Sequence, residues 1–176
     1  MAVKLLIGLD KSEGAWKAVE YVARTFAQTP GVEVTLLHIL GGLPPAYWDD
    51  GHILSEKERE NRQRLIDNWQ AEREKESRQR LVANWQKEEE KKWQELVKKA
   101  YDCLTAAGIP SDTVVNKFKP KYFDVAEDIL REAETGSFNT IVMGRRGLGM
   151  TKTLLLGSVT NKVVQNNKGG AVTIVG

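Results

Sequence analysis

Cysteine and histidine are scarce in this chain of 176 residues, which contains one cysteine and two histidines. The single cysteine, Cys103, cannot form a disulfide within the chain, which fits a reducing cytoplasm. His38 and His52 lie far apart, and together with one cysteine they do not make a metal site. We therefore expect a cytoplasmic location and no metal site built from these residues.

The sequence also lacks a long apolar run and a strong net charge. No segment could cross a bilayer, and residues 1–4 do not follow the pattern of a signal peptide. The formal net charge of +2 predicts no strong attraction to nucleic acid or to a membrane surface. The length suits one domain, or one domain with an insertion, and is enough to bury a core.

Glycine is concentrated after a short apolar run at residues 141–143, which predicts a buried strand. A glycine loop follows, and Ser158 then opens an apolar segment that predicts a helix. The glycines of the loop are Gly144, Gly147 and Gly157. Glycine lets the backbone approach an anion and adopt positive φ, and the free N–H groups at a helix start attract negative charge. This order of strand, loop and helix predicts a phosphate-binding site.

The same loop carries positive charge and a hydroxyl group. Its cations are Arg145, Arg146 and Lys152, and Ser158 supplies a hydroxyl donor. The loop is not a Walker loop, because Met150 occupies the place where the lysine should be, and no G-x-G-x-x-G is present. The alternative interpretation is a tight connection that holds no ligand.

Strand, helix and strand follow one another within the first 40 residues. The apolar runs at residues 3–9 and 32–40 predict buried strands, and the spacing between them predicts a helix with Ser12 as its N-cap. The three elements make a right-handed βαβ unit with parallel strands. Asp10 follows the first strand, at the edge where open α/β sheets bind ligands. Its carboxylate either bonds a ribose hydroxyl, holds a metal-bound phosphate, or only caps a turn.

The second half predicts the rest of an α/β fold. Three further strands are predicted at residues 111–118, 140–143 and 171–175. Helices between them are predicted at residues 123–133 and 158–165, the last with Val159, Val163 and Val164 facing inward. Five strands with alternating helices predict a doubly wound, Rossmann-like parallel sheet in the order 3-2-1-4-5. Its switch point lies between strands one and four, which places Asp10 opposite the glycine loop.

Several of these segments resemble the universal stress protein family. The pattern G-x2-G-x9-G-S, running from Gly144 to Ser158, resembles the ATP-binding signature of that family. The segments at residues 6–15 and 34–39 resemble its first two strands, and the resemblance covers nearly everything except residues 43–90. It implies an adenine nucleotide alpha hydrolase-like fold that binds ATP, with Mg²⁺ or Mn²⁺ bridging the phosphates. It also implies a homodimer that pairs through residues 171–175.

The resemblance further implies which residues bind the nucleotide. Around the nucleoside the matching residues are Leu9, Asp10 and Ile39. Around the phosphates they are Met143, Gly144, Arg146, Gly147, Gly157, Ser158, Val159 and Thr160. Arg145 departs from the small polar residue that is commoner in the family, and it either strengthens phosphate binding or points to solvent. His38 is interpreted as a packing residue.

The middle of the chain has neither glycine nor proline between Gly51 and Gly108. Ser55 to Glu58 has the form of a capping box, so we expect a charged helix from about Ser55 to Ala107. Within it, residues 62–70 recur as residues 78–86. We therefore predict a single domain over residues 1–176, with residues 43–90 as a helical insertion lengthened by a tandem repeat.

The end of that helix differs from the repeats, because it carries an apolar stripe that is expected to pack on the sheet. The residues of the stripe are Trp93, Leu96, Val97, Ala100, Leu104 and Ala107. Cys103 lies beside it and is expected to be a structural thiol.

Residues 55–90, which contain the repeats, carry too few apolar groups for a core helix, yet they display several apolar side chains. Trp69 and Trp85 are among them, and exposed aromatic residues usually meet a partner. The repeats either form a straight arm that pairs with another copy as a short antiparallel coiled coil, or a hairpin that breaks near Ser77. The remaining alternative is a solvated helix with incidental tryptophans. Alternating charges argue against a nucleic-acid arm.

These features favour three functions. The first is an ATP-binding protein that switches partner contacts in a stress response, and the second is a non-catalytic scaffold that recruits a partner through the helix at residues 55–90. The third is a slow ATP-hydrolysing enzyme. Hydrolysis needs a positioned water, and the loop has no neighbouring histidine or glutamate to orient one. We therefore expect a binding protein rather than an enzyme.

Overall fold

The computed structural model describes residues 2–41, 71–147 and 155–176. Within these ranges the strands are β1 (Val3–Gly8), β2 (Val32–Leu40), β3 (Val114–Pro120), β4 (Thr140–Gly144) and β5 (Ala171–Val175). The helices are α1 (Glu13–Phe26), α2 (Ala71–Ala106), α3 (Val125–Thr135) and α4 (Ser158–Asn166). A short 3₁₀ turn at Ser111–Thr113 precedes β3. None of the described helices is long and apolar enough to span a membrane.

The five strands form one parallel sheet in the order β3-β2-β1-β4-β5. This confirms the predicted fold class and strand order. The chain moves outward from β1 to β2 and β3, and then returns to the other side of β1 for β4 and β5. The order therefore reverses between β1 and β4, where a crevice is expected at the carboxyl ends of the strands.

Each face of the sheet is covered by its own apolar core. Helices α1 and α2 pack on one face, against residues such as Leu5, Ile7 and Val34. Helices α3 and α4 cover the other face, against residues such as Leu6 and Ile141. Strands β1, β2 and β4 are buried on both faces and consist of nearly continuous apolar runs, whereas the edge strands β3 and β5 are partly exposed.

The chain divides into two compact units, Met1–Leu40 with Trp93–Gly176, and Gly41–Lys92. The first unit contains the sheet. The described part of the second is helical from Ala71 onward and carries an ion pair between Lys92 and Glu89 at 2.6 Å. Leu81 in this segment is 48% exposed.

Helix α2 runs without interruption from Ala71 to Ala106. A hairpin that breaks near Ser77 is therefore wrong, because Ser77 lies inside a continuous helix. The predicted capping box at Ser55 and the first repeat copy, at residues 62–70, lie outside the described residues. Whether residues 43–90 are an insertion into a single domain stays a prediction.

The apolar stripe of α2 packs on the sheet as expected, with Trp93, Val97, Ala100 and Leu104 buried. Ala107 is exposed just beyond the end of the helix. Cys103 is half-buried, and burial raises the pKa of its thiol, with the carboxylate of Glu20 acting in the same direction. A thiol with a raised pKa is less reactive, which agrees with a structural role.

Three local predictions differ from the structure. Strand β3 begins at Val114, because Ser111 to Thr113 form the 3₁₀ turn. Helix α3 begins at Val125, because the carboxylate of Asp124 accepts hydrogen bonds from the first turn and caps it. Val164 was expected to face inward but is 41% exposed, whereas Val163 is buried.

Candidate functional site

The turn after β1 is fixed by hydrogen bonds at the crevice. The N–H of Ser12 donates to the carboxylate of Asp10 at 2.8 Å. The hydroxyl of Ser12 accepts from Ala15 N at 3.1 Å, which confirms Ser12 as the N-cap of α1. The N–H of Leu9 donates to Leu37 O at 2.8 Å and extends the sheet by one residue. Asp10 is thereby held at the carboxyl end of β1.

Gly144 ends β4 where α1 passes closest to it. A Cβ atom added to Gly144 would lie 2.2 Å from the carbonyl carbon of Gly14, and one added to Gly14 would lie 2.4 Å from Arg146 O. Real Cβ atoms do not approach backbone atoms so closely, so both positions need glycine for packing. The glycines let α1 lie directly against the start of the loop.

Gly147 brings the loop next to Asp10. A Cβ atom added there would be 3.0 Å from Asp10 Oδ2, so the carboxylate lies against the backbone of the loop. This is the placement that the strand order predicts. The side chain of Ser12 also reaches the loop, because its Oγ lies 3.4 Å from Arg146 O.

Gly157 closes the described part of the loop. Its N–H donates to Arg145 O at 2.9 Å, and an added Cβ atom would lie 3.4 Å from Arg146 Cα and 3.6 Å from Gly147 N. Its φ is −65°, so this position does not use the positive φ that glycine permits. Glycine here leaves space beside the loop backbone.

The N-terminus of α4 has no side-chain cap, since its N-cap residue is Gly157. By contrast, Ser12 caps α1 and Asp124 caps α3 with side-chain oxygens. The first N–H groups of a helix have no partner within it. Within the described residues no side chain caps these groups, so the N-terminal end of α4 is suited to attract an anion.

The predicted site residues divide into two groups in the structure. One group comes together around the loop backbone: Asp10, Gly144, Arg146, Gly147, Gly157 and Ser158. The other group is packed in the cores. Leu9 lies in the core under α1 and α2, whereas Ile39, Met143 and Val159 lie in or against the core under α3 and α4.

Thr160 has a structural contact of its own. It is 3% exposed, and its hydroxyl donates to Gly144 O at 3.0 Å. This bond joins the first turn of α4 to the end of β4 and supports the loop from below. Among the predicted cations, Arg145 is exposed and Arg146 is half-buried. Lys152 lies outside the described residues.

Two residues at the site were not predicted. Gly14 packs against Gly144, and the only signal in the sequence is a glycine within the first turn of a helix, which often has a packing reason. His38 bonds to Leu9 O at 2.8 Å, which no local pattern indicates. Among the described residues, no three histidine, cysteine, aspartate or glutamate side chains form a group that could bind a metal ion.

The sequence matches the model of the universal stress protein family over residues 1–169. It is also similar to solved structures of modest sequence identity. The hypothetical protein MJ0577 is 24% identical with a TM-score of 0.65, and the match covers 100% of this chain and 98% of that one. No curated protein sequence matches this one.

Two further similar structures contain nucleotides. A universal stress protein from Archaeoglobus fulgidus in complex with dAMP is 15% identical with a TM-score of 0.56, covering 100% of this chain and 98% of that one. A universal stress protein in complex with cAMP is 16% identical with a TM-score of 0.57, covering 99% of this chain and 96% of that one. At such identities the likeness establishes a shared fold.

Proposed function

Because the chain belongs to the universal stress protein family, we propose that it binds an adenine nucleotide, with ATP as the expected ligand, between Asp10 and the glycine loop. The observation that carries this proposal is the N-terminus of α4, which has no side-chain cap, beside a loop that starts at Gly144, where the backbone leaves no room for a Cβ atom. The adenine nucleotides bound by similar proteins support the choice of ligand class.

The proposed roles follow from where each group lies. The phosphates meet the N–H groups at Gly147 and at the start of α4, with the hydroxyl of Ser158 as a further donor. Arg145 and Arg146 supply positive charge. Asp10, which lies against the loop, bonds a ribose hydroxyl or holds a Mg²⁺ or Mn²⁺ ion that bridges phosphates.

The core residues predicted around the nucleoside have a supporting role in this proposal. Ile39 and Met143 are 6% exposed and form the apolar floor at the carboxyl ends of β2 and β4. Leu9 is 2% exposed and its N–H is already bonded to Leu37, so it acts by holding Asp10. Thr160 acts by supporting Gly144, and Val159 by fixing the first turn of α4.

We propose a binding switch rather than an ATP-hydrolysing enzyme. Hydrolysis requires a group that positions the attacking water near the γ-phosphate. Residues 144–160 contain no histidine, aspartate or glutamate, and the nearby carboxylate of Asp10 is assigned to the ribose or to the metal ion in this proposal. In this proposal nucleotide binding changes the contacts of the protein with its partners during stress, in the cytoplasm.

The variant Gly157→Ala tests the site. The added methyl group meets only ordinary contacts, so we expect the variant to fold and to lose about 1 kcal/mol of stability or less. The methyl group occupies the space beside Gly147 N, so the affinity for ATP should fall at least about tenfold, a loss of roughly 1.4 kcal/mol. Isothermal titration calorimetry measures the affinity.

The matched control is Gly169→Ala, since a Cβ atom at Gly169 meets nothing within 4 Å. Its ATP affinity should equal that of the unchanged protein. ATP binding that is equally tight in all three proteins contradicts the proposed site. The absence of binding in the unchanged protein contradicts the proposed function.

A second candidate function is a scaffold that recruits a protein partner through α2. The observation that favours it is Leu81, which is 48% exposed in the second copy of the repeat. Nucleotide is then absent or structural. Leu81→Ser should abolish partner recruitment, whereas Gly157→Ala should leave it intact.

A further inference from the structure

His38 lies on β2 and is held between two aromatic rings. Its imidazole stacks on the indole of Trp93 with ring centroids 5.1 Å apart and planes 24° apart. On Phe118 the corresponding values are 5.6 Å and 13°. The three rings come from β2, α2 and β3. The imidazole plane is therefore fixed by three separate elements of the fold.

The orientation of the ring directs one nitrogen at β1. His38 Nδ1 lies 2.8 Å from Leu9 O. A carbonyl oxygen only accepts hydrogen bonds, so Nδ1 carries the hydrogen and donates it. Leu9 lies beyond the end of β1 and is 2% exposed, so its carbonyl needs a partner inside the protein.

This bond completes the attachment of Leu9 to β2. The N–H of Leu9 donates to Leu37 O at 2.8 Å, and its carbonyl accepts from His38. Both polar groups of the residue before Asp10 are thus held by consecutive residues of β2. The direction in which the chain enters Asp10 is set by these two bonds.

Asp10 has little freedom on its other side. Its carboxylate accepts from Ser12 N at 2.8 Å and lies against Gly147, where an added Cβ atom would be 3.0 Å away. A rotation of the Leu9 peptide would move the carboxylate against the loop or away from it. Binding groups need a supporting contact that fixes them to within a fraction of an ångström.

We propose that His38 is a positioning residue of the nucleotide site, which acts by donating a hydrogen bond to Leu9 O and so fixing Asp10 opposite the glycine loop. This inference rests on the proposed function, since it assigns the residue a role in nucleotide binding. It goes beyond packing, because a phenylalanine ring would satisfy the stack but not the carbonyl.

The test compares two substitutions at His38. His38→Phe keeps a flat ring between Trp93 and Phe118 but removes the donor. His38→Asn loses part of the stack but places an amide N–H where Nδ1 stands. We expect His38→Phe to bind ATP about five- to tenfold more weakly, as for the loss of one hydrogen bond, and His38→Asn to recover most of that affinity.

The control is Val97→Ala, which makes a cavity in the same core but leaves the hydrogen bond from His38 to Leu9 O in place. Val97 is 8% exposed, so this variant should lose stability and keep its ATP affinity. All affinities are measured by calorimetry at a temperature where circular dichroism shows each variant folded. A purely structural role of His38 would lower the melting temperature and leave the affinity unchanged.

A second readout does not depend on nucleotide. Long-range ¹H–¹⁵N NMR spectra of the unchanged protein should show His38 as the Nδ1–H tautomer, whether or not ATP is present. An Nε2–H tautomer overturns the proposal even if His38→Phe does not fold. Equal ATP affinity of the unchanged protein and His38→Phe overturns it as well. If the unchanged protein binds no adenine nucleotide, the proposed function fails, and this inference fails with it.

Discussion

At Gly144 the chain has no room for a side chain, because an added Cβ atom would lie 2.2 Å from the carbonyl carbon of Gly14 and 2.6 Å from its Cα. Backbone atoms at the start of α1 cannot move aside as a flexible side chain would. The close contact brings the first turn of α1 to the end of β4. This packing alone requires glycine at position 144, whether or not the loop contacts a ligand.

We expect Gly144→Ala to destabilise the protein by about 1–3 kcal/mol, the usual cost of overpacking a core. The free energy of unfolding is obtained from urea denaturation. Gly169→Ala is the control and should change stability by less than about 0.5 kcal/mol, as for an exposed surface position. A Gly144→Ala variant as stable as its control would show that α1 and β4 are not in this close contact.

Some residues of the candidate site can be predicted from the sequence, and others cannot. Ser12 as a cap follows from local rules that link a residue to its neighbours. The positions of Gly14 and His38 depend on atoms of Gly144 and Leu9, which are remote in sequence, so no local pattern reveals them. The surroundings of Gly157 likewise depend on remote atoms, because an added Cβ atom would lie 3.6 Å from Gly147 N.

Among the secondary-structure elements, β3 and α3 are linked by ion pairs to one buried carboxylate. The carboxylate of Glu132 is 4% exposed and pairs with the ammonium groups of Lys117, at 2.6 Å, and Lys119. Burial opposes ionisation of Glu132, but hydrogen bonds from the two lysines outweigh it and hold the pKa of this carboxyl below its usual range. A carboxylate buried in this way depends on its partners.

The double variant Lys117→Met, Lys119→Met should lose about 3 kcal/mol of stability at pH 7. This is the lower end of the range for breaking a buried pair, because both ammonium groups are partly exposed. Urea denaturation measures the loss. Lys98→Met, on the exposed side of α2, is the control and should change stability by less than about 0.5 kcal/mol.

The loss should depend on pH in a definite direction. Because the pKa of Glu132 is lowered in the folded protein, the stability that the pairs contribute is present above the ordinary value of about 4.3 and is lost as pH falls through the lowered pKa. In the double variant, protonation of Glu132 at low pH removes the buried charge that has lost its two lysine partners. The difference in stability should therefore be smaller at pH 3 than at pH 7, and a constant difference would contradict the assignment.

The boundaries of elements were less predictable than their order. Apolar runs identified β1, β2 and β4 most clearly because these strands are buried on both faces, whereas β3 lies at an edge of the sheet and is partly exposed. The turn at Ser111 to Thr113 has no apolar pattern to mark it. Helical spacing predicts that Val164 faces inward, yet the short helix α4 buries only Thr160 and Val163. The continuity of α2 through Ser77 follows from helix-forming residues on both sides of it.

At the scale of the whole molecule, β5 is the edge of the sheet on the side of the proposed site. Ala171 N donates to Asn139 O, and Val175 O accepts from Arg145 N, so alternate residues of β5 face β4. The backbone groups of Val172 and Ile174 therefore point away from the sheet. An apolar edge of this kind is suited to pair with a second copy.

We propose a homodimer that pairs through β5, and we expect Ile174→Lys to convert it to a monomer. A charge at an edge strand opposes pairing with another strand, and Ile174 is 36% exposed. Analytical ultracentrifugation measures the molar mass. The control is Val164→Lys, since Val164 is 41% exposed but lies on α4, and it should remain a dimer. A monomeric unchanged protein, or a dimer of Ile174→Lys, would contradict the proposal.

Native mass spectrometry of the freshly purified protein, before and after addition of ATP, tests the central claim most directly. It reports bound nucleotide and subunit number in one spectrum. We expect a dimer that carries, or takes up, the mass of one adenine nucleotide per subunit. For Gly157→Ala we expect the same dimer with a clearly smaller fraction of subunits carrying that mass. A protein that is purified empty and takes up no added ATP, ADP or AMP would contradict the proposed function.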